Sequence, residues 1–145
     1  MEKVFESYVA KCIKDSEYFR EFTIKTQDTK HHLIESPKRF SIRPDIVLEK
    51  AGEVFILDTK WKMLNSSEAS NYGISQSDLY QMYAYAKKYD SHNTFLIYPL
   101  NDSALELQKD IVFKYDDNLR LNIIFMNLED MEGSMGCLRE RIFRQ

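Results

Sequence analysis

The alternation of apolar and polar residues along the chain predicts a mixed α/β domain. Residues 22–27, FTIKTQ, alternate as a strand with one solvated face does. The polar segment 28–41 contains a proline and predicts a loop or an irregular sheet edge. Near the N-terminus, apolar residues recur at helical spacing and predict an amphipathic helix over about residues 2–19: Val4, Phe5, Tyr8, Val9, Cys12 and Ile13.

Two strongly apolar segments, 42–49 and 53–61, predict neighbouring strands. The KAG connection between them is short and contains Gly52, which tolerates a positive φ. The second segment includes VFIL (54–57), an unbroken apolar run typical of a strand that is buried on both faces. We therefore expect an antiparallel hairpin whose second strand lies inside the sheet.

The following segments predict a parallel crossover. Residues 62–77 are rich in serine and asparagine and predict a loop. Ser75 and Asp78 resemble a capping box at the start of a helix that reaches about residue 90. The next strand is NTFLIYP (93–99), and a strand, a helix and a second strand favour a right-handed crossover. The apolar side of this helix is expected to contain Leu79, Met82, Tyr83 and Ala86.

The C-terminal part of the chain predicts two more strands, at 110–115 and 119–127, and a short basic helix within 128–145. A length of 145 residues with 43% hydrophobic residues suits one domain with its own core. No apolar run approaches the ~20 residues of a membrane helix, and the N-terminus has no signal-peptide core. Cys12 and Cys137 lack metal-ligand spacing, so we expect a reduced cytoplasmic protein, with a single disulfide as the alternative.

Charge is distributed unevenly along the chain. The net charge of −3 does not indicate a nucleic-acid-binding protein. Residues 25–43, however, contain five basic and two acidic side chains, whereas residues 101–132 contain eight acidic and three basic ones. A face that binds a polyanion is one interpretation, and ordinary solvated faces are the other.

The triplet Asp-Thr-Lys occurs twice, at 28–30 and at 58–60. The first copy follows a half-exposed segment and predicts a surface turn. The second copy follows the most apolar run in the chain, where ending a strand with charges is costly unless they are paired or hold a metal ion. The second triplet is therefore the better candidate for a functional site.

A third charged residue is expected beside the second triplet. Asp45 precedes Asp58 by thirteen residues, and an antiparallel hairpin turning near Gly52 places the two side by side. Two adjacent carboxylates repel each other, and Mg²⁺, which prefers oxygen ligands, removes that repulsion. The alternative is a structural cluster in which Lys60 neutralises both acids.

The predicted second helix presents Asp78, Gln81 and Tyr85 on one face, at spacings i, i+3 and i+7. This face is distinct from the apolar one and is expected to look toward the charged cluster. The alternatives are that Tyr85 only packs against the core and that Gln81 is a surface amide. Lys62, two residues beyond Lys60, is placed to meet a phosphate group.

Several short motifs resemble the PD-(D/E)xK nuclease superfamily: RPD (43–45), DTK (58–60) and QMYAY (81–85). Four longer segments, spread over about residues 4–99, resemble more narrowly the McrC-like nuclease subunit of McrBC-type, modification-dependent restriction systems. These segments are VFESYVAK (4–11), IRPDIVL (42–48), ILDTKWK (56–62) and SDLYQMYAYAKKY (77–89).

The resemblance implies a restriction-endonuclease-like core, ordered α-β-β-β-α-β, with a mixed central sheet and extra C-terminal strands. It implies a Mg²⁺-dependent DNA endonuclease, with Mn²⁺ as a substitute. The metal ligands would be Asp45, Asp58 and the carbonyl of Thr59. The catalytic residues would be Asp45, Asp58, Lys60, Gln81 and Glu6, and the DNA-binding residues would be Lys62, Arg43, Lys38 and Tyr85.

The resemblance also implies partners. In a 5-methylcytosine-specific restriction complex the nuclease works with an AAA+ GTPase motor subunit (McrB-like), and cutting two strands favours a homodimer. We expect residues 1–145 to form a single nuclease domain without the motor-binding region that precedes it in that family. Two alternatives remain open: a non-catalytic nucleic-acid-binding or assembly module with the same fold, and a nuclease of repair or of mobile elements.

Overall fold

The N-terminal apolar spacing forms helix α1, which spans Glu2–Asp15 in the computed structural model; the structure describes residues 1–107 and 109–144. Its buried face consists of Phe5, Val9 and Ile13. The helix ends earlier than the spacing predicts because Ser16 adopts an extended backbone conformation. The Ser16 side chain accepts a hydrogen bond from the Tyr18 N–H and begins a separate 3-10 turn, Glu17–Phe19.

Apart from β2 and β3, the strands and the remaining helices lie close to where the hydrophobic pattern predicts them. Helix α2 spans Gln76–Tyr89 and helix α3 spans Met131–Phe143. In the described part of the chain the strands are β1 (Thr23–Thr26), β2 (His32–Glu35), β3 (Lys38–Ser41), β4 (Ile46–Lys50), β5 (Glu53–Thr59), β6 (Asn93–Pro99), β7 (Ile111–Asp116) and β8 (Leu119–Met126).

Six of these strands form one mixed sheet in the spatial order β1-β4-β5-β6-β8-β7. Strands β4 and β5 are antiparallel, with Ile46 opposite Leu57, so Asp45 and Asp58 come next along the same edge. Strands β5 and β6 are parallel and are joined through α2, which confirms the predicted parallel connection through a helix. Taken in chain order without the β2–β3 pair, the elements follow the expected α-β-β-β-α-β core with extra C-terminal strands.

The sheet separates two apolar layers. On one face, α1 and α3 cover buried side chains such as Leu48, Leu57 and Ile97. On the other face, α2 packs over Val47 and Leu96. Both layers bury side chains of β4, β5 and β6, which explains why these strands lack the alternation of a half-solvated strand.

Segment 28–41 differs from its prediction as a loop. It contains β2 and β3, which pair antiparallel in a separate two-stranded sheet. Each strand has only four residues and is almost entirely exposed, so no apolar periodicity marks it in the sequence.

Helix α2 also corrects two details. Ser75 precedes the helix but makes no side-chain capping bond; its carbonyl accepts the N–H groups of Asp78 and Leu79 instead. Tyr83, expected on the apolar side, is 40% exposed, while Tyr85 and Tyr89 are buried. Met82 and Ala86 are buried as predicted, and Leu79 packs partly buried against the same layer, so the position of Tyr83 is the part of the prediction that was wrong.

Neither cysteine forms a disulfide: Cys12 and Cys137 are both free thiols. Within residues 1–107 and 109–144, no helix has both the length and the hydropathy to cross a membrane. The predicted loop 62–77 contains a 3-10 segment, Glu68–Gly73, before α2 begins.

Candidate metal centre

Asp45 and Asp58 meet where β4 begins and β5 ends. The Asp45 N–H donates to Oδ1 of Asp58 over 3.1 Å. Thr59 donates both its N–H and its hydroxyl to Oδ2 of Asp45, each over 2.8 Å. The hairpin register therefore fixes the backbone and the carboxylates of the two strand ends together, and Asp58 is only 4% exposed.

Lys60 joins this pair to helix α2. Its Nζ lies 3.0 Å from Oδ2 of Asp58 and 3.6 Å from Oδ1 of Asp78. The ammonium also donates to Oε1 of Gln81 over 2.9 Å. The helix face that the sequence predicts to look toward the cluster does so, and Gln81 is not a free surface amide.

Tyr85 extends the same network on α2. Its hydroxyl accepts a hydrogen bond from Nε2 of Gln81 over 3.0 Å and donates to the carbonyl of Arg43 over 3.3 Å. The ring is buried, so Tyr85 both packs against the core and fixes the backbone that leads to Asp45.

Glu6 approaches the cluster from α1 through Gln27, a residue that the sequence interpretation missed. Nε2 of Gln27 donates to Oε1 of Glu6 over 2.7 Å and to Oδ1 of Asp45 over 3.2 Å. The Gln27 N–H also donates to the Asp45 carbonyl over 3.1 Å. The available signal was positional: Gln27 is the last residue of the predicted strand 22–27, and the structure pairs that strand with the strand that Asp45 precedes.

Two carboxyl groups in this cluster have strongly raised proton affinity. The pKa of Asp58 rises to about 7, first because burial penalises its charged form and then because Asp45 repels it. The pKa of Glu6 also rises to about 7, through a hydrogen bond shared with Asp45, burial and the Asp45 charge. Near neutral pH, therefore, both groups are partly protonated.

The other two charged groups keep their charge. Burial would raise the pKa of Asp45, but hydrogen bonds from Glu6 and Thr59 outweigh it and lower the pKa. Burial would lower the pKa of Lys60, but the charge of Asp58 outweighs it and raises the pKa. The cluster thus contains a carboxylate with a lowered pKa (Asp45), an ammonium with a raised pKa (Lys60) and two carboxyl groups, those of Glu6 and Asp58, with raised pKa values.

This donor set fits a hard divalent cation. Mg²⁺ is held in proteins by one or two carboxylates together with water or substrate oxygens, and Asp45 and Asp58 supply such a pair. A cation would relieve the repulsion that raises the pKa of Asp58. In the described residues no group of three His, Cys, Asp or Glu side chains is arranged to hold a metal ion, so a third protein ligand has to come from elsewhere, such as the Thr59 carbonyl.

A cleft of about 730 Å³ opens over the cluster. Arg43, Gln81 and Tyr85 line it together with Asp45, Asp58, Thr59, Lys60 and Glu6. Two of the residues expected to bind DNA lie elsewhere: the Lys62 ammonium donates to the Gly73 carbonyl, and Lys38 is exposed on β3. An acidic, open cleft of this size can admit a polymer strand beside a metal ion.

Comparison with known proteins agrees with this architecture. A family model described as "McrBC 5-methylcytosine restriction system component" matches residues 1–99. The matched range includes α1, the β4–β5 hairpin that contains the site, α2 and β6. Comparison with curated proteins gave no match.

A solved structure shares the fold over nearly the whole chain. It is the refined half-complex from the tetradecameric assembly of Thermococcus gammatolerans McrB AAA+ hexamers with bound McrC, with a TM-score of 0.72 and 16% sequence identity. The alignment covers 99% of this chain and 33% of that chain, so this chain spans about one third of its length. The fold is accordingly restriction-endonuclease-like, as the sequence motifs imply.

Proposed function

Because the chain belongs to the family of McrBC 5-methylcytosine restriction system components, we propose that it is the metal-dependent DNA-cleaving domain of such a system. The observation that carries this proposal is the meeting of Asp45, Asp58 and Lys60 at one sheet edge, under an open cleft. The arrangement matches the PD-(D/E)xK motif residue by residue.

In the proposed site, Asp45, Asp58 and the Thr59 carbonyl hold Mg²⁺, or Mn²⁺ in its place. The bound cation supplies an acidified water and draws negative charge from the scissile phosphate. Thr59 has a second task that the structure makes plain, since its N–H and hydroxyl hold Oδ2 of Asp45. The other carboxylate oxygen of Asp45 remains directed toward Gln27 and Glu6.

Lys60 stabilises charge in the proposed reaction. Its raised pKa keeps the amine protonated, so it is a poor base and a good electrostatic partner for a phosphate oxygen. Asp58, Asp78 and Gln81 surround the ammonium and fix its position before substrate arrives. Gln81 and Tyr85 are therefore positioning residues that act through Lys60 and through the Arg43 backbone.

Glu6 is the proposed proton carrier. Its pKa of about 7 lets it exchange a proton near neutral pH, and two hydrogen bonds from the Gln27 amide connect it to Asp45. Arg43 lines the same cleft and is proposed to bind a DNA phosphate. Lys62 and Lys38 could contact DNA only outside the cleft lining.

The proposed partners are DNA and a McrB-like AAA+ GTPase motor. The similar structure contains McrB AAA+ hexamers with bound McrC, which supports such a partner for this chain. Cleavage of both strands of a duplex requires two sites, so the working unit is proposed to contain two copies of this domain.

Plasmid nicking with Mg²⁺ or Mn²⁺ tests the proposal, in the presence and absence of the motor subunit and GTP. We expect Asp45→Asn and Lys60→Ala each to lower the nicking rate by about 10²-fold or more, because each removes charge stabilisation of the reacting phosphate. Lys114→Ala, a lysine on the distant strand β7, is the matched control and should retain the wild-type rate.

Direct Mn²⁺ binding separates metal binding from catalysis. Isothermal titration should show Mn²⁺ affinity lost in Asp45→Asn and kept in Lys114→Ala. Equal nicking by wild type, Asp45→Asn and Lys60→Ala would contradict the catalytic proposal. DNA binding without any nicking, even with motor and GTP, would favour the non-catalytic module.

A further inference from the structure

The β2–β3 hairpin stands apart from the central sheet beside the cleft. Its strands pair with each other and lie in a separate sheet from the other six. Side chains at both ends of the hairpin contact α2: Glu35, next to the turn, pairs with Lys88 at 3.3 Å, and the His31 ring, at the base, lies 4.5 Å from the Tyr89 ring. The hairpin is therefore attached to α2 at both ends, while its two strands are largely exposed.

Phe40 is the unusual residue of this hairpin. Its side chain is 74% exposed, and its φ of +59° is a backbone conformation that bulky residues rarely adopt. Leu33, on the partner strand, is 47% exposed. Both residues line the cleft that contains Asp45 and Asp58. Folding alone gains nothing from an exposed aromatic ring on a strained backbone, so a ligand that covers the ring is the simpler explanation.

Charge indicates what kind of ligand that is. Lys38 and Arg39 directly precede Phe40 on β3, and both are exposed. The Arg39 guanidinium contacts the neighbouring carbonyl of Lys38, a bond that a phosphate can replace readily. An aromatic ring next to two cations matches single-stranded or locally unstacked nucleic acid, in which bases stack on rings and phosphates meet Lys and Arg.

The floor of the cleft explains why such an arm is needed. Four carboxyl groups line the cleft, those of Glu2, Glu6, Asp45 and Asp58, and they repel a phosphate backbone. The charge of Lys60 is already paired with Asp58 and Asp78, so it offsets little of this repulsion. Cations supplied from the hairpin offset this repulsion at the edge of the cleft without displacing the metal ligands.

We propose that the β2–β3 hairpin is a DNA-binding arm, in which Phe40 stacks on a nucleobase next to the phosphate held at the metal centre and Lys38 and Arg39 bind flanking phosphates. The proposal rests on the proposed function, because it takes DNA as the substrate of the cleft. It adds a base contact that neither the motifs nor the family match assigns.

DNA binding by the full chain tests the Phe40 contact. Fluorescence anisotropy with a labelled duplex, in Ca²⁺ to prevent cleavage, should show binding at least about tenfold weaker for Phe40→Ala. Phe40→Trp should restore the affinity, because a larger ring still stacks. Leu105→Ala removes an equally exposed apolar side chain outside the cleft and should bind as wild type does.

Two further measurements separate stacking from charge. A duplex carrying 2-aminopurine near the cleavage position should brighten on binding to wild type and stay dim with Phe40→Ala. Lys38→Ala combined with Arg39→Ala should reduce the slope of log K against log salt by about 2, whereas Phe40→Ala leaves the slope unchanged. Arg20→Ala combined with Lys114→Ala controls for net charge.

The outcomes of the two proposals are distinguishable. Plasmid nicking by wild type together with equal DNA affinity of wild type and Phe40→Ala would overturn the arm and leave the nuclease intact. If Phe40→Ala loses DNA affinity but the wild-type protein does not nick DNA, the DNA-binding arm is supported and the nuclease proposal is contradicted. If Phe40→Ala and Lys38→Ala/Arg39→Ala keep DNA binding but lose binding to the motor subunit, the hairpin is a protein interface and the proposal is wrong.

Discussion

The same triplet, Asp-Thr-Lys, occupies two different environments in this molecule. At 58–60 it ends a strand inside the sheet, and Asp58 is 4% exposed. At 28–30 it follows β1 and leads into the β2–β3 hairpin, with Thr29 and Lys30 exposed. Identical side chains therefore differ in how much water surrounds them and in which charges they face.

The two aspartates have correspondingly different partners. Asp58 faces Asp45 and Lys60 and lies below the cleft. Asp28 accepts a hydrogen bond of 2.5 Å from the hydroxyl of Tyr89 at the end of α2. The first triplet is thus more than the surface turn that the sequence predicts, because it attaches the base of the hairpin to α2. The comparison shows that the fold concentrates charge around the second triplet and uses the first as an attachment point.

The largest expected difference between the triplets is in catalysis. Asp58→Asn should lower plasmid nicking in Mg²⁺ by about 10³-fold, because it removes the proposed metal ligand, which water cannot replace in a buried site. Asp28→Asn should stay within a few-fold of wild type, since the amide oxygen still accepts the Tyr89 hydrogen bond. Rates from initial time points under identical salt give the comparison.

A similar loss in both variants would contradict this assignment. It would mean that the first triplet also contributes to the reacting centre. Thermal unfolding of each variant checks that neither loss reflects a failure to fold.

The next effect concerns stability against pH in the metal-free protein. Asp58 and Glu6 have pKa values of about 7, above their ordinary values of 3.8 and 4.5, so the folded form binds protons more tightly than the unfolded chain. Their contribution to stability is fully present below about pH 4 and is lost as the pH rises to about 7. The melting temperature in EDTA should therefore fall by several degrees between about pH 5 and about pH 7.5.

Asp58→Asn is the informative variant for this pH effect. It removes one titrating group and the repulsion of Asp45, so the fall in melting temperature should become much smaller. Excess Mg²⁺ should restore wild-type stability at about pH 7.5 and should leave Asp58→Asn unchanged. A wild-type melting temperature that rises over the same pH range would contradict the raised pKa values.

The smallest effect tests the structural task of the first triplet. Tyr89→Phe removes the hydrogen bond to Asp28 and should lower the free energy of unfolding by about 1 kcal/mol. Tyr80→Phe, on the exposed side of α2, is the matched control and should change it by less than about 0.5 kcal/mol. Urea unfolding measures both. Faster amide exchange at β2 and β3 in Tyr89→Phe alone would locate the change in the hairpin.

The main strands could be predicted because their apolar runs are long and continuous. Strand β6 follows the predicted segment residue for residue, and the hairpin of β4 and β5 brings Asp45 to Asp58 as its turn requires. Strands β2 and β3 could not be predicted, because short exposed strands carry no apolar period. The exposure of Tyr83 was also missed, since spacing does not reveal which of Tyr83 and Tyr85 finds room above the sheet.

The residues of the candidate site also divide into those that the sequence predicts and those that it does not. Asp45, Asp58, Lys60 and Gln81 follow from strand ends and from helix spacing, which are local properties of the chain. Gln27 does not, because its link between Glu6 and Asp45 exists only when β1 and α1 dock against β4.

The amino-acid sequence alone determined the succession of helices and strands in the core, the pairing of two aspartates at one edge and the helix face that meets them. These features depend on periodicity and chain length over a few tens of residues. Only the tertiary structure decided that the first Asp-Thr-Lys triplet attaches to Tyr89, how tightly Glu6 and Asp58 bind their protons, and where Phe40 lies. Such properties depend on burial and on distances between segments remote in sequence, and no local pattern encodes them.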